Sequence, residues 1–221
     1  MVNKENKSSL PIVAAVLLVL YVLINIASML HPNTKHTVLV YVIFAVYAAM
    51  SVVLFMRKKG VALIVPATAV FICDLIFCID NVLLTINTMV EVNYTELNDP
   101  TSYIGFSIAI FFMLLTTLPG LIIAVISVLD LVHIRKKAVN IIANIVMVVS
   151  VSCDCFISLI SLVPAIFAGS FNSIPIIAFN FVKLSILNAG FVLVCMWLTT
   201  APVVIEKITE DDAVLETAEA V

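Results

Sequence analysis

The sequence predicts an all-α membrane protein, a polytopic bundle of six transmembrane helices with both termini on the cytoplasmic side. Three observations lead to this prediction: the composition, the spacing of long apolar stretches and the distribution of lysine and arginine. Hydrophobic residues make up 63% of the 221 positions and charged residues 11%, and the mean hydropathy is +1.24. Because about a quarter of the residues in a soluble domain are charged, this chain cannot cover itself with a water-compatible surface.

Six stretches are long enough to cross the hydrocarbon core of a bilayer, which takes about 20 mostly apolar residues in a helix. Polar and helix-breaking residues fall in the connectors between them. We therefore predict a single transmembrane domain over residues 1–205 and a short acidic cytoplasmic tail over residues 206–221. The predicted spans are Leu10–Leu30, Thr37–Met56, Val61–Val90, Ser102–Ile134, Ala138–Ala168 and Ile174–Val203.

Lysine and arginine set the predicted orientation, because they collect in the cytoplasmic loops of membrane proteins. Nine of the eleven lie at the N-terminus, in the second and fourth connectors and at the C-terminus, which all fall on one side of the predicted topology. Lys35 lies on the other side, and Lys183 lies within a span. We therefore expect a multi-pass protein of the cell membrane, in contact with the lipid bilayer, with both termini inside.

The third span carries the most informative polar residues. Two stripes of polar and small residues follow it at helical spacing, about 120° apart around the helix axis. The first stripe contains Asp74, Cys78, Asn81, Thr85 and Thr88, and the second contains Cys73, Asp80 and Asn87. Because lipid offers such residues no hydrogen-bond partner, we expect this helix to be the most enclosed of the bundle or to line a cavity.

The fifth and sixth spans place further polar residues at a similar depth. Asp154 lies near the middle of the fifth span, and the sixth contains Lys183 and Asn188. Lys183 falls in depth between the two aspartates of the third span, so we expect these three to meet. The candidate residues of a substrate or ion pathway are therefore Asp74, Asp80, Asn81, Asp154, Lys183 and Asn188.

Two hypotheses account for these buried charges, each of which costs roughly 2.5–3.5 kcal/mol at the bilayer centre. In the first, the protein translocates a small solute or cation through a polar intramembrane site. In the alternative, it is a non-transporting scaffold, assembly partner or regulatory subunit whose buried polar residues specify helix packing. Three aspartates against one lysine leave an excess of acid, which favours the first hypothesis.

The fourth span contains Pro119-Gly120 in its middle, and this pair predicts a helix kink. The second and fourth connectors present a further pattern, because each carries a basic triplet that precedes a Cys-Asp pair in the following span. The pattern suggests duplicated hairpins in which Asp74 and Asp154 are equivalent.

Several function classes are disfavoured. The sequence has no P-loop, no H-E-x-x-H and no G-x-S-x-G motif, so we do not expect an enzyme. No cysteine or histidine has metal-ligand spacing, and we expect neither a metal site nor a cofactor. The sequence has no basic patch of the kind that binds nucleic acids, so we expect no nucleic-acid partner. The C-terminal tail is a candidate docking segment for a protein partner, through Ile208, Val214 and Leu215.

Overall fold

The computed structural model describes residues 8–29, 38–92, 100–160 and 174–200, and every regular element within these ranges is an α-helix. The described helices are α1 (Leu10–Met29), α2 (Val38–Phe55), α3 (Val61–Val92), α4 (Pro100–Leu115), α5 (Leu118–Leu131), α6 (Lys137–Ile160) and α7 (Ile174–Thr200). They provide six spans long and apolar enough to cross a membrane, with the fourth span running from α4 into α5. This confirms the predicted number of spans, whereas the acidic tail over residues 206–221 lies outside the described residues.

The six spans are arranged in a ring in chain order. α2 packs between α1 and α3, and α3 packs against α5. α6 packs against α5 and α7, and α7 returns to α1, so that the first and last spans close the ring. The two halves of the fourth span differ in their neighbours, because α4 lies against α3 and α6 whereas α5 also contacts α7.

Two five-residue connectors, over residues 56–60 and 132–136, define what we call the basic end of the bundle. They adjoin each other, since Gly60 lies next to Leu131. Arg57 and His133 adopt left-handed backbone conformations, with φ of 53° and 58°. In each connector the following N–H bonds back to a carbonyl five residues earlier, which ends the preceding helix in the manner of a Schellman motif.

Packing is densest in the half of the bundle near the basic end. The fully buried large side chains of this half come from all six spans, and they are Leu18, Met50, Leu54, Leu63, Ile123, Ile126, Met147 and Leu198. They form one continuous apolar core that fills the centre of the ring. The polar residues of the spans therefore separate into those at the basic end and those beyond this core.

The sixth span is the most enclosed, while the third span meets the other half of the expectation by lining a cavity. In the apolar stretch of the sixth span 44% of the residues are buried, against 33% in the third span. Gly190 of α7 allows α1 to approach closely, because a Cβ at this position would lie 3.2 Å from Leu18 Cδ2. On α3, by contrast, Asp80 and Asn87 of the second polar stripe are exposed, although Cys73 of the same stripe is buried.

Candidate functional site

A cavity of about 610 Å³ occupies the half of the ring away from the basic end, directly beyond the packed core. All six spans contribute to its wall, which combines apolar and aromatic side chains with a smaller number of polar ones. Lining residues that carry polar or aromatic groups include Tyr21, Asn25, Phe44, Tyr47, Asp74, Phe77, Asn81, Thr116, Thr117, Asp154, Asn180, Lys183, Asn188 and Phe191.

Asp74 of α3 reaches the cavity next to a group of aromatic rings. The Tyr47 hydroxyl donates a hydrogen bond to Asp74 Oδ1 over 3.1 Å. The Tyr47 side chain is 3% exposed, and its ring meets Tyr21 edge to face at 5.5 Å and Phe191 at 6.0 Å between centroids. We call these three rings the aromatic floor of the cavity. The Asp74 carboxylate is therefore held beside this floor by a neutral donor.

Asp154 of α6 is held in a similar way by α7. Asn188 Nδ2 donates a hydrogen bond to Asp154 Oδ2 over 2.7 Å, and Asn188 is 4% exposed. The two carboxylates line the same cavity, together with Tyr21 and Tyr47. The cavity thus brings together two acids from the spans on either side of the fourth span.

Lys183 lines the same cavity and is half-buried. Five residues separate it from Asn188 along α7, which corresponds to about 7.5 Å of helix rise. Because α7 runs toward the basic end, Lys183 lies on the far side of Asn188 from the packed core. No salt bridge of Lys183 is found within the part of the chain that the structure describes.

The described side chains of the first polar stripe of α3 line the cavity, and Asp80 of the second stripe does not. Asn81 lines the cavity together with Asp74 and Cys78, while its side-chain amide bonds to Phe77 O within the helix. The expectation that Asp80 joins Asp74 and Lys183 is not met, since Asp80 is exposed and lies outside the cavity lining. The reason is geometric: a separation of six residues turns a side chain about 120° away from Asp74.

The fourth span is interrupted beside the cavity. α4 ends at Leu115 and α5 begins at Leu118, so the break lies at Thr116-Thr117, just before Pro119. The hydroxyls of Thr116 and Thr117 bond to Met113 O and Leu114 O, which satisfies carbonyls near the end of α4. Pro119 lines the cavity with both threonines, while Gly120 packs against the backbone of α3.

A separate polar cluster lies at the basic end and serves packing. The Arg135 guanidinium is 3.2 Å from Asp130 Oδ1 and donates to Leu198 O over 2.6 Å. Asn140 Nδ2 donates to Thr199 O, and Asn144 Nδ2 to Thr199 Oγ1. Arg135 and Asn140 thus satisfy carbonyls in the last turn of α7, where a positive charge is also favourable.

Lys59 and Trp197 extend the basic-end cluster. The Lys59 ammonium lies 4.7 Å from the centroid of the Trp197 ring, within the range of a cation–π interaction. Burial lowers the pKa of Lys59 from its ordinary value, and Arg135 acts in the same direction against the opposing influence of Asp130. The polar and charged groups at this end are packed between helices, whereas those of the cavity also line a space of about 610 Å³.

Sequence reasoning missed the aromatic floor of the cavity. Tyrosine is usually found at the membrane interfaces, where its ring and hydroxyl face different environments. Tyr47 instead lies near the middle of α2, far from either helix end. That mid-span position was the available signal, because a buried tyrosine hydroxyl needs a hydrogen-bond partner.

Comparison with known proteins gives no match to a protein-family model, to a curated protein or to a solved structure.

Proposed function

We propose that this protein translocates a small solute across a membrane through the cavity between its six spans. One observation carries the proposal: the cavity holds two carboxylates and an ammonium group in a largely apolar wall, is walled by every span and is closed by packed apolar side chains at the basic end. A cavity closed on one side of a bundle is what alternating access requires, since the solute site must open to one face at a time.

The orientation of the bundle follows from its basic residues. The connectors over residues 56–60 and 132–136 carry five of the eleven lysines and arginines. Lys137, the first residue of α6, adds a sixth at the same end. With this end in the cytoplasm, as the positive-inside rule requires, both termini are inside and the cavity belongs to the outer half of the membrane. The closed end of the cavity then faces the cytoplasm.

The division of the polar residues supports transport over a purely structural role. Arg135, Asn140 and Asn144 bond to α7, as expected of residues that specify helix packing. Asp74 and Asp154 also have neutral donors, yet both remain at the wall of a cavity of 610 Å³. Such a space does not contribute to helix packing in a non-transporting scaffold or assembly partner. The buried carboxylates would only raise the free-energy cost of inserting such a protein into the membrane.

Flux and stability measured together separate the two hypotheses. The full chain is reconstituted in vesicles, and uptake is measured for a panel of small ammonium, carboxylate and neutral solutes, with and without a pH gradient. Asp74→Asn and Asp154→Asn are compared with Asp80→Asn, a matched control outside the cavity. We expect the first two variants to lose flux while keeping most of their thermal stability in detergent, and the control to behave as the wild type.

Two results would contradict the proposal. Wild-type vesicles that take up none of the solutes above empty vesicles would remove the evidence for transport. Loss of stability in Asp74→Asn and Asp154→Asn, with flux retained in the surviving folded fraction, would assign both carboxylates to packing. In that case the alternative of a non-transporting membrane component would stand.

A further inference from the structure

The size and ligand set of the cavity indicate an organic ligand instead of a bare metal ion. A volume of 610 Å³ is in the range of sites for small organic molecules, which runs from about 300 to 1,000 Å³. Among the described residues, no three histidine, cysteine or acidic side chains are grouped so as to hold a metal ion. A small ion in this space would keep most of its hydration water, and the apolar side chains of the wall would make no favourable contact with it.

The charge of the cavity indicates the sign of the ligand. Among the described lining residues, Asp74 and Asp154 contribute two acids and Lys183 one base, which leaves one negative charge in excess when all three are ionised. The partner of Asp74 is a neutral hydroxyl, and no ion pair is found for Asp74 within the described ranges. A monovalent cation would neutralise the cavity, whereas an anion or a neutral molecule would leave a desolvated carboxylate without a counter-charge.

The aromatic rings indicate where that cation sits. Tyr21, Tyr47 and Phe191 form a contiguous group of rings directly beside Asp74. Aromatic faces attract ammonium groups, and their apolar surface also accommodates the body of an organic ligand. Lys183 lies about 7.5 Å farther from the packed core than Asn188, so a cation beside the aromatic rings avoids direct contact with Lys183.

We propose that the ligand of the cavity is a small organic monocation, an amine or ammonium group joined to an apolar body, with its charge next to Asp74 and the partly exposed ring of Tyr21. The identity of the ligand as a transported substrate rests on the function proposed above. Lys183 then acts against the ligand, because its charge repels the bound cation, and a zwitterion would be affected in the opposite sense.

Binding to the purified full chain in nanodiscs tests this assignment without any requirement for transport. The probes are benzyltrimethylammonium, phenylacetate and L-phenylalanine, which share a phenyl body but carry a cation, an anion and a zwitterion. Isothermal titration calorimetry should detect one molecule of benzyltrimethylammonium per chain and weaker binding, or none, for the other two.

Four variants give the expected pattern for benzyltrimethylammonium. Asp74→Asn should weaken its binding at least 10-fold, and Tyr21→Leu about 5-fold through the lost ring. Lys183→Met should tighten it about 5-fold, since a like charge is removed. Asp80→Asn should bind within 2-fold of the wild type. The gain in Lys183→Met keeps the test decisive even where Asp74→Asn folds poorly.

Three results would overturn the assignment. The first is that the wild type binds no benzyltrimethylammonium at millimolar concentration in the calorimeter. The second is that phenylacetate binds more tightly than benzyltrimethylammonium. The third is that L-phenylalanine binds more tightly and that Lys183→Met weakens its binding. Failure of transport is separate: cation binding with the expected variant pattern but no vesicle flux would refute only the function. Flux of a solute that benzyltrimethylammonium does not inhibit would refute only the ligand class.

Discussion

Gly120 lies where α5 presses directly on the backbone of α3, and replacing it with alanine provides a sensitive test of this fold. A Cβ at this position would stand 2.7 Å from Phe71 N, 3.0 Å from Ala67 O and 3.0 Å from Val70 Cγ1. Two of these three atoms belong to the helix backbone and cannot move without the helix. Gly190 is the matched control, because its nearest neighbour is the flexible end of the Leu18 side chain at 3.2 Å.

The expected magnitude follows from these distances. In Gly120→Ala, α3 and α5 must separate by about 0.7 Å to reach ordinary contact, and overpacking of this kind costs about 1–3 kcal/mol. The gain in helix propensity, at most about 1 kcal/mol, offsets only part of this cost. In Gly190→Ala the Leu18 side chain gives way by a few tenths of an ångström, so the propensity gain should roughly cancel the strain. The two variants should therefore differ in the free energy of unfolding by about 2 kcal/mol.

Reversible unfolding in mixed micelles of mild detergent and SDS measures this difference, with Trp197 fluorescence as one probe and far-UV circular dichroism as a second. Gly120→Ala should unfold at a lower SDS fraction than the wild type, and Gly190→Ala close to it. Equal stability of the two variants would refute the close approach of α5 to α3. A variant with both substitutions should show the sum of the two effects, since Gly120 and Gly190 lie in different helix pairs.

Two further predictions concern the basic end. Arg135→Met removes a charged hydrogen bond to Leu198 O and should lower the free energy of unfolding in the same assay by about 2 kcal/mol. The exposed neighbour Lys136, replaced in the same way, should change it by less than about 0.5 kcal/mol, and a similar loss in both variants would show that the guanidinium contact contributes nothing. Lys59 should lose its proton, and with it the cation–π contact, as pH rises through a pKa below the ordinary lysine value of about 10.4. Emission from Trp197, the only tryptophan, should follow that titration in the wild type and not in Lys59→Met; identical pH profiles would contradict the contact.

The fold was predictable from the sequence because its main determinants are local. An apolar stretch of sufficient length between polar connectors needs no knowledge of the rest of the chain, and all six spans were found in this way. The break in the fourth span also has a local cause, since Pro119 lacks the backbone donor that would bond to Leu115. The ring order of the helices, by contrast, depends on contacts between distant residues, and no local pattern encodes it.

The site was predictable only in part for the same reason. Helical spacing placed Asp74 and Asn81 on one face of α3, and both line the cavity. Spacing alone could not decide which of the two polar stripes faces inward, so Asp80 was included although it is exposed. The partner of Tyr47 lies 27 positions away, so its mid-span position could indicate a buried hydrogen bond but not the acceptor.

The two carboxylates of the cavity are not equivalent positions of a repeated hairpin. The connectors at the basic end share their length and their left-handed residue, which aligns Arg57 with His133, 76 positions later. This register places Ser150 opposite Asp74 and Cys78 opposite Asp154, whereas pairing the two Cys-Asp sequences needs a spacing of 80.

Counted from matched turns, Asp154 therefore lies four residues, or about 6 Å, farther from the basic end than Asp74. Asp74 is bound by a tyrosine beside the packed core, and Asp154 by an amide one turn beyond it. A ligand entering from the far side meets Asp154 before Asp74, so the two Asp→Asn variants should differ. Loss of Asp74 should abolish occupancy of the floor, whereas loss of Asp154 should mainly slow entry.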